Sequence, residues 1–176
     1  HRYNIIWDKV LKTGFLNAKR MPLREHEDIM VFYKSQPIYN PQMTKGLPSH
    51  SKGKAIGASI EEISSNRIYG SYKVVENKSD MKYPTSIWKF PKPHPSTAIS
   101  STEKPIELCR YAIRTYTNVG GVVLDNCCGS GSSLIAAKLE NRHYIGMDNG
   151  FCDNKKSKYY GMRWADVATL RLDGVA

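Results

Sequence analysis

The sequence predicts an α/β fold with a parallel sheet, on three observations. Val122–Leu124 is a short apolar β-branched run, Asp125–Ser132 a small Gly-rich turn, Ser133–Leu139 a helix-forming stretch, and His143–Met147 a second buried strand ending at Asp148. Strand, loop, helix and strand in that order make one unit of a parallel sheet. Upstream, Tyr3–Val10 and Ile29–Tyr33 are two further apolar runs, expected to pair as an antiparallel hairpin with a long connection. Between the two parts, Pro37, Pro41, Gly46 and Pro48 break regular structure and Pro91, Pro93 and Pro95 form a linker, so an inserted region separates the sheet-forming segments.

In chain order, Ile5, Ile6 and Trp7 fill the first strand, and Thr13-Gly14 turns the chain. Phe15–Pro22 is basic and irregular. Glu25-His26-Glu27 leads into the second strand. On a strand, neighbouring side chains face opposite sides, so these three cannot converge on one metal. Ser49–Met81 is rich in Lys, Ser and Gly, and Tyr83–Phe90 returns to the core as a strand. Pro105 suits the first turn of a helix over Ile106–Tyr116. Ile106, Cys109, Ile113 and Tyr116 recur at three- and four-residue spacing, which gives that helix one buried stripe. Gly120-Gly121 ends it. After Asp148 the chain is polar and basic to Tyr160, and Gly161–Leu172 reads as an amphipathic helix carrying Trp164, Val167, Ala168 and Leu170. One domain is expected, divided into a hairpin (1–34), an inserted region (35–93) and a ligand-binding part (94–176).

Charge points to an acidic partner. The formal net charge of the 176 residues is +10, and residues 1–104 hold 17 Lys/Arg against 9 Asp/Glu, a net of +8. The surplus therefore lies away from the Gly-rich turn. Between Lys34 and Lys92 there are 10 Lys/Arg and 4 Asp/Glu, interleaved with Tyr39, Tyr69, Tyr72, Tyr83 and Trp88. Lysines that neutralise phosphates, with aromatic and polar side chains among them, suit a nucleic-acid-contacting region; a solvated surface insertion has the same composition. Cys109, Cys127, Cys128 and Cys152 show no CxxC spacing, so neither zinc nor a disulfide framework is expected, and the thiols read as reduced in a cytoplasmic protein. No apolar run approaches the ~20 residues of a membrane span. His1-Arg2-Tyr3 is not a signal peptide, and the absence of an initiator Met hints at a start within a longer protein.

The Gly-rich turn lies where open α/β sheets bind ligands, beyond the carboxyl end of a strand. Gly129 and Gly131 allow close approach of a ligand, and amides at the helix start suit an anionic group. No Lys follows Gly131, so the phosphate-cradling signature is absent, and Leu134 stands where a dinucleotide fingerprint has its third glycine. Asp-Asn-Cys-Cys-Gly-Ser-Gly-Ser, alone, fits an ordinary βα turn or another nucleotide as well as it fits an adenosyl ligand.

Several stretches together resemble one family, the beta-class DNA amino-methyltransferases, which methylate adenine N6 or cytosine N4. They are Trp7-Asp-Lys, Gly14-Phe-Leu-Asn-Ala-Lys-Arg, Pro22-Leu-Arg-Glu-His-Glu, Val31-Phe-Tyr-Lys, Tyr39-Asn-Pro-Gln, Ser101-Thr-Glu-Lys-Pro and Asp125–Ser132, in the family's order. The resemblance implies a partial S-adenosylmethionine-dependent methyltransferase fold, Rossmann-like, with an inserted basic target-recognition region. It implies S-adenosyl-L-methionine as cofactor, held by Gly129, Ser130, Gly131 and Ser132 around the methionine part. Asp125, Asn126 and Cys127 would complete the loop, Thr102, Lys104 and Pro105 would shape the carboxylate side, and Asp148 would take the ribose hydroxyls. Double-stranded DNA is the implied partner, with Lys19, Arg20, Arg24, Lys45, Lys52, Lys54, Arg67 and Lys73 as contacts. No membrane partner is expected.

Two departures from the family pattern matter. Ser100-Ser101 replaces the His-Pro of the HPTQKP element, and His94-Pro95 lies upstream. The Asp/Asn-Pro-Pro-Tyr motif is absent; Asn40-Pro41-Gln42-Met43 is the nearest stretch and is not equivalent. That motif binds the flipped-out base, because an amine inside the stack cannot be attacked, and no catalytic residue is assigned here. In the family it precedes the stretch that opens this chain. The chain is therefore expected to be the carboxyl-terminal part of a site-specific, restriction-modification type enzyme, inactive alone and completed by an amino-terminal segment or by a homodimer partner. Without the catalytic strand, nothing is expected to link the hairpin to the cofactor strands. Adenine N6 is the expected target, with cytosine N4, a DNA-binding subunit without chemistry, and an RNA or small-molecule methyltransferase as the competing readings.

Overall fold

A computed structural model describes residues 1–47, 63–66, 70–73 and 79–175, without the side chains of 63–66 and 70–73. The chain forms two compact units, one of His1–Asn40 with Thr85–Ala176 and one of Pro41–Pro84.

In the larger unit, β1 (Tyr3–Thr13) pairs antiparallel with β2 (Arg24–Val31) in the register Tyr3↔Val31 to Asp8↔His26. The predicted hairpin is present. Its first strand runs on to Thr13, because Val10 takes a left-handed backbone (φ 64°) and shifts the register between Asp8 and Thr13. A bulge of this kind lets a strand continue past an irregularity. Gly14, at φ 88°, makes the turn into a short 3-10 helix at Phe15–Asn17. The second strand starts earlier than its apolar run, so Glu25, His26 and Glu27 lie within it.

The smaller unit holds β3 (Thr44–Lys45), β4 (Ile63–Asn66), β5 (Gly70–Lys73) and β6 (Met81–Lys82). Strand β3 pairs antiparallel with β6, and β4 with β5. Back in the larger unit, β7 (Ile87–Lys89) lies parallel to β1, giving the order β2-β1-β7.

Helix α1 (Ile106–Tyr116) occupies the predicted span. It has two buried faces where one stripe was expected. Leu108, Tyr111, Ala112 and Tyr116 pack on Ile5, Trp7 and Trp88 of the hairpin sheet. Ile106, Cys109 and Ile113 pack on Ala136, Ala137 and Val123. Helix α1 thus joins the hairpin to the part of the chain that carries Val123 and Ala136-Ala137, which corrects the expectation that nothing would link them. Trp7, 1% exposed, anchors the joint, and its indole Nε1 donates to Phe90 O at 2.8 Å, so no buried donor is left open. Asn40 closes the end of α1: its side-chain amide donates to the carbonyls of Arg114 and Thr117.

Strand β8 (Val122–Asp125), α2 (Ser132–Leu139) and β9 (His143–Gly146) form the predicted unit, with β8 and β9 parallel from Val122↔His143 to Asp125↔Gly146. One face is packed. A Cβ on Gly146 would lie 2.3 Å from Leu134 Cδ1, so only glycine lets α2 settle this close to β9. The other face is not buried as expected: Val122, Leu124, Ile145 and Met147 are exposed. Each apolar position was legible as strand, but burial also needs an element on the far side, and among the described residues α2 covers one face only. Helix α3 (Trp164–Asp173) starts later than Gly161. Its inward residues are Val167, Ala168 and Leu172, while Leu170 points to solvent. Among the described residues, no helix is long and apolar enough to cross a membrane.

Candidate functional site

The site begins at the carboxyl ends of β8 and β9. Asp125 ends β8, and its Oδ1 accepts from Cys127 N at 3.1 Å while its Oδ2 accepts from the Ser133 hydroxyl. Both bonds are local, and they fix the turn against the start of α2. Asp148, just past β9, spans the two strands: Oδ2 accepts from Gly129 N and Oδ1 from Gly150 N, each at 2.8 Å. The loop is thereby pinned at Gly129 to the neighbouring strand end. Gly131 caps α2 at φ 81°, and a Cβ there would lie 2.8 Å from Ala168 Cβ of α3. Both the backbone angle and the close approach require glycine.

A cavity of about 370 Å³ opens over this loop. It brings together Asp125, Cys127, Gly129, Ser130, Ser132, Thr102 and Lys104 from the expected set. Asn126 is exposed beside it. Gly131 and Asp148 support the loop without lining the cavity, and Pro105 lines the adjoining cavity with Glu103 and Lys104. Of the expected DNA contacts, Lys19 and Arg20 are exposed on the β1–β2 connection and Arg24 is exposed at the start of β2. Lys45 lies in the smaller unit, 3.6 Å from Asp80. Lys73 lies in β5, its side chain not described, and Lys52, Lys54 and Arg67 lie outside the described residues.

Two features can hold a ligand. Ser132 Oγ is buried without a hydrogen-bond partner among the described residues and lines the cavity; a buried polar atom left open marks a place for a missing partner. Above Gly129, a Cβ would meet nothing within 4 Å, so a ligand can lie directly on that backbone. The residues fit a polar adenosyl ligand: the Asp125 carboxylate at the end of β8, and hydroxyls and amides in the loop.

Sequence reasoning missed the buried support. Glu103, in the Ser101–Pro105 stretch, accepts from Ile99 N at 2.7 Å and from Ser130 Oγ at 3.4 Å, and lies 3.1 Å from Arg171 Nη1 of α3. The same Arg171 nitrogen donates to Ser130 O at 2.6 Å. Lys104 reaches back to β2, donating to Glu27 Oε2 at 2.9 Å, with its ammonium 5.4 Å from the Trp7 ring centroid. Lys9, itself buried, pairs with the other Glu27 oxygen at 3.5 Å. Burial alone would raise the Glu27 pKa; Lys104 and then Lys9 outweigh it and hold the carboxyl below its ordinary value. The Cys109 thiol is pushed up to about 11 by burial and then by Asp125. Burial, Asp125 and Asp148 push the Cys128 thiol up as well.

The family model described as DNA methylase, of the N6/N4 methyltransferase type, matches residues 2–153. The chain belongs to this DNA methylase family. The chain is similar over 46 residues, at 44% identity, to the type II methyltransferase M.HindIII of Haemophilus influenzae, spanning 26% of this chain and 15% of that protein. With YubD of Escherichia coli, a protein named as a methylase, identity is 36% over 63 residues, 35% of this chain and 25% of that protein. The fold is similar to that of M1.HpyAVI, solved as a complex with SAM, at a TM-score of 0.57 and 19% identity over 98% of this chain. The chain spans 62% of M1.HpyAVI, and its fold is the partial S-adenosylmethionine-dependent methyltransferase fold expected from the sequence.

Proposed function

We propose that this DNA methylase family chain carries the cofactor-binding and target-recognition parts of an S-adenosylmethionine-dependent DNA methyltransferase acting on the exocyclic N6 of adenine. The observation that carries the reading is the loop Asp125–Ser132, pinned to Asp148 and opening on a cavity with an unpaired Ser132 hydroxyl. Bound there, the cofactor would supply an electrophilic methyl group on a sulfonium. Ser130 and Ser132 would bind its polar methionine end, while Asp148, outside the cavity with each oxygen accepting from an amide, would hold the loop in shape and not take the ribose hydroxyls. Thr102 and Lys104 would form the opposite wall. Positioning does the work here, since holding two reactants in register replaces a bimolecular encounter.

No Asp-Pro-Pro-Tyr or Asn-Pro-Pro-Tyr occurs in the 176 residues. Asn40, in the nearest stretch, spends its amide on the end of α1. Contacts to the flipped base are therefore assigned to another polypeptide segment of the working enzyme, and this chain alone is read as inactive. Double-stranded DNA is the proposed partner, in the cytoplasm, consistent with the +10 charge. Nucleoside mass spectrometry of DNA from cells expressing the working enzyme tests the reading: N6-methyladenine is expected. N4-methylcytosine moves the target to cytosine, and the absence of both, with no S-adenosylmethionine binding by this chain in calorimetry, overturns the reading.

A further inference from the structure

A further cavity, of about 630 Å³, lies beside the cofactor site in the larger unit. It is bounded by the end of β1, the linker Lys92–Pro95, and Asp153-Asn154. Ser100 lines both cavities, so they are neighbours along one wall. We propose that this cavity receives a phosphodiester and its sugar from the DNA strand that carries the target base. The inference rests on DNA being the substrate.

Its walls are suited to such a unit. Lys12 lies on one side, without an ion pair or hydrogen bond among the described residues, and Lys92 and His94 lie on the other. Lys92 is already oriented, its ammonium donating to Ser101 O at 2.5 Å. His94 uses Nδ1 on Ser96 Oγ at 2.7 Å, which leaves Nε2 for a ligand. Asp153 is the acid of the lining, so two lysines outnumber it and the cavity favours an anion. A zwitterionic sulfonium cofactor offers no such excess of negative charge, whereas every nucleotide of a strand brings one phosphate. Leu11, Pro93, Pro95 and Ala98 supply an apolar floor against which a sugar can pack. Asn154 ties the two sides, its amide donating to the carbonyls of Ala98 and Ile99.

The test compares the unmutated protein with Lys12→Ala/Lys92→Ala in duplex DNA binding by fluorescence anisotropy, from 50 to 300 mM salt, and in S-adenosylmethionine binding by calorimetry. The expected result is an affinity for DNA lowered about tenfold, a log–log salt slope smaller by about 1, as for one phosphate contact, and cofactor affinity unchanged. Lys12→Arg/Lys92→Arg, which keeps the charge, should restore DNA binding to within about threefold, which separates lost charge from lost folding. DNA affinity and slope unaltered in the alanine pair overturn the proposal alone. Cofactor affinity lost while DNA binding stands assigns the cavity to the cofactor and overturns it too. An unmutated protein with no salt-dependent duplex binding overturns the DNA reading together with this proposal.

Discussion

Glu103 and Arg171 form a buried ion pair, 3.1 Å apart with side chains 7% and 15% exposed, and Ser130 of the Gly-rich loop bonds to both. One carboxylate thus ties three segments: the stretch before α1, through Ile99 N; the loop, through the Ser130 hydroxyl; and α3, through Arg171. A buried pair of this kind contributes little over a well-packed apolar pair, but removing one partner strands the other charge. Arg171→Leu should therefore cost about 3 kcal/mol, seen as a melting temperature lower by about 6–12 °C. Glu103→Gln/Arg171→Leu, with both charges gone, should recover most of that loss. A double variant as unstable as Arg171→Leu shows that the guanidinium matters for packing and not for the charge.

Glu27 predicts an acid dependence of stability. Its folded pKa lies below the ordinary value because Lys104 and Lys9 favour the carboxylate more than burial disfavours it. A depressed folded pKa gives stability that is present above the unfolded pKa and is lost as pH falls through the folded one. Denaturant melts from pH 7 down to pH 3 should show this loss setting in below about pH 4.5, the ordinary carboxyl range. Glu27→Gln should be less stable at pH 7 and lose less on acidification. An unchanged pH profile for Glu27→Gln removes the Lys104 tether from the account.

Gly129 and Gly131 are expected to respond differently to the same substitution. Both have positive φ, 49° and 81°, but a Cβ on Gly131 would sit 2.8 Å from Ala168 Cβ, whereas one on Gly129 meets no protein atom within 4 Å. Gly131→Ala should destabilise the fold by about 2 kcal/mol or more, from strain plus overpacking. Gly129→Ala should cost about 1 kcal/mol of backbone strain and lower S-adenosylmethionine affinity at least tenfold, because its methyl group occupies the open cavity. Melting curves and calorimetry separate the two. Equal cofactor affinity in Gly129→Ala and the unmutated protein would mean that the ligand does not lie on this backbone.

The contrast between these two glycines shows what was legible in the sequence. Local pattern located the β8–α2–β9 unit and bounded α1, because Pro105 and the apolar spacing are signals within a few residues. The two faces of α1 were hidden, since Leu108 and Tyr111 answer to a hairpin sheet far away in the chain. The exposed face of β8 and β9 was equally hidden, as strand composition carries no statement about what lies opposite. In the site, Asp125, Gly129, Ser130 and Asp148 stand in recognisable stretches. Arg171 does not: it reads as an ordinary last-turn helix base, and only the fold sets it on Glu103. Lys104 could be picked from the Ser101–Pro105 stretch, but not its partner Glu27 on a distant strand.

The cysteines give a chemical test of the loop geometry. Cys109, Cys127 and Cys128 all line the cofactor cavity, but Cys127 is exposed, Cys109 half-buried and Cys128 buried. Burial and the nearby carboxylates push the Cys109 thiol to about 11 and raise that of Cys128, so both stay protonated at neutral pH. The thiolate is the reactive form, and access falls in the same order. Iodoacetamide at pH 7.5 should therefore modify Cys127 first, with Cys109, Cys128 and the buried Cys152 reacting only on unfolding. Saturating S-adenosylmethionine should slow the Cys127 adduct several-fold while leaving the denatured pattern unchanged, as read by peptide mass spectrometry. Early labelling of Cys128 would mean that the loop opens far enough to uncover that buried thiol, and a Cys127 rate indifferent to the cofactor would mean that the adenosyl ligand binds away from the Asp125–Ser132 turn.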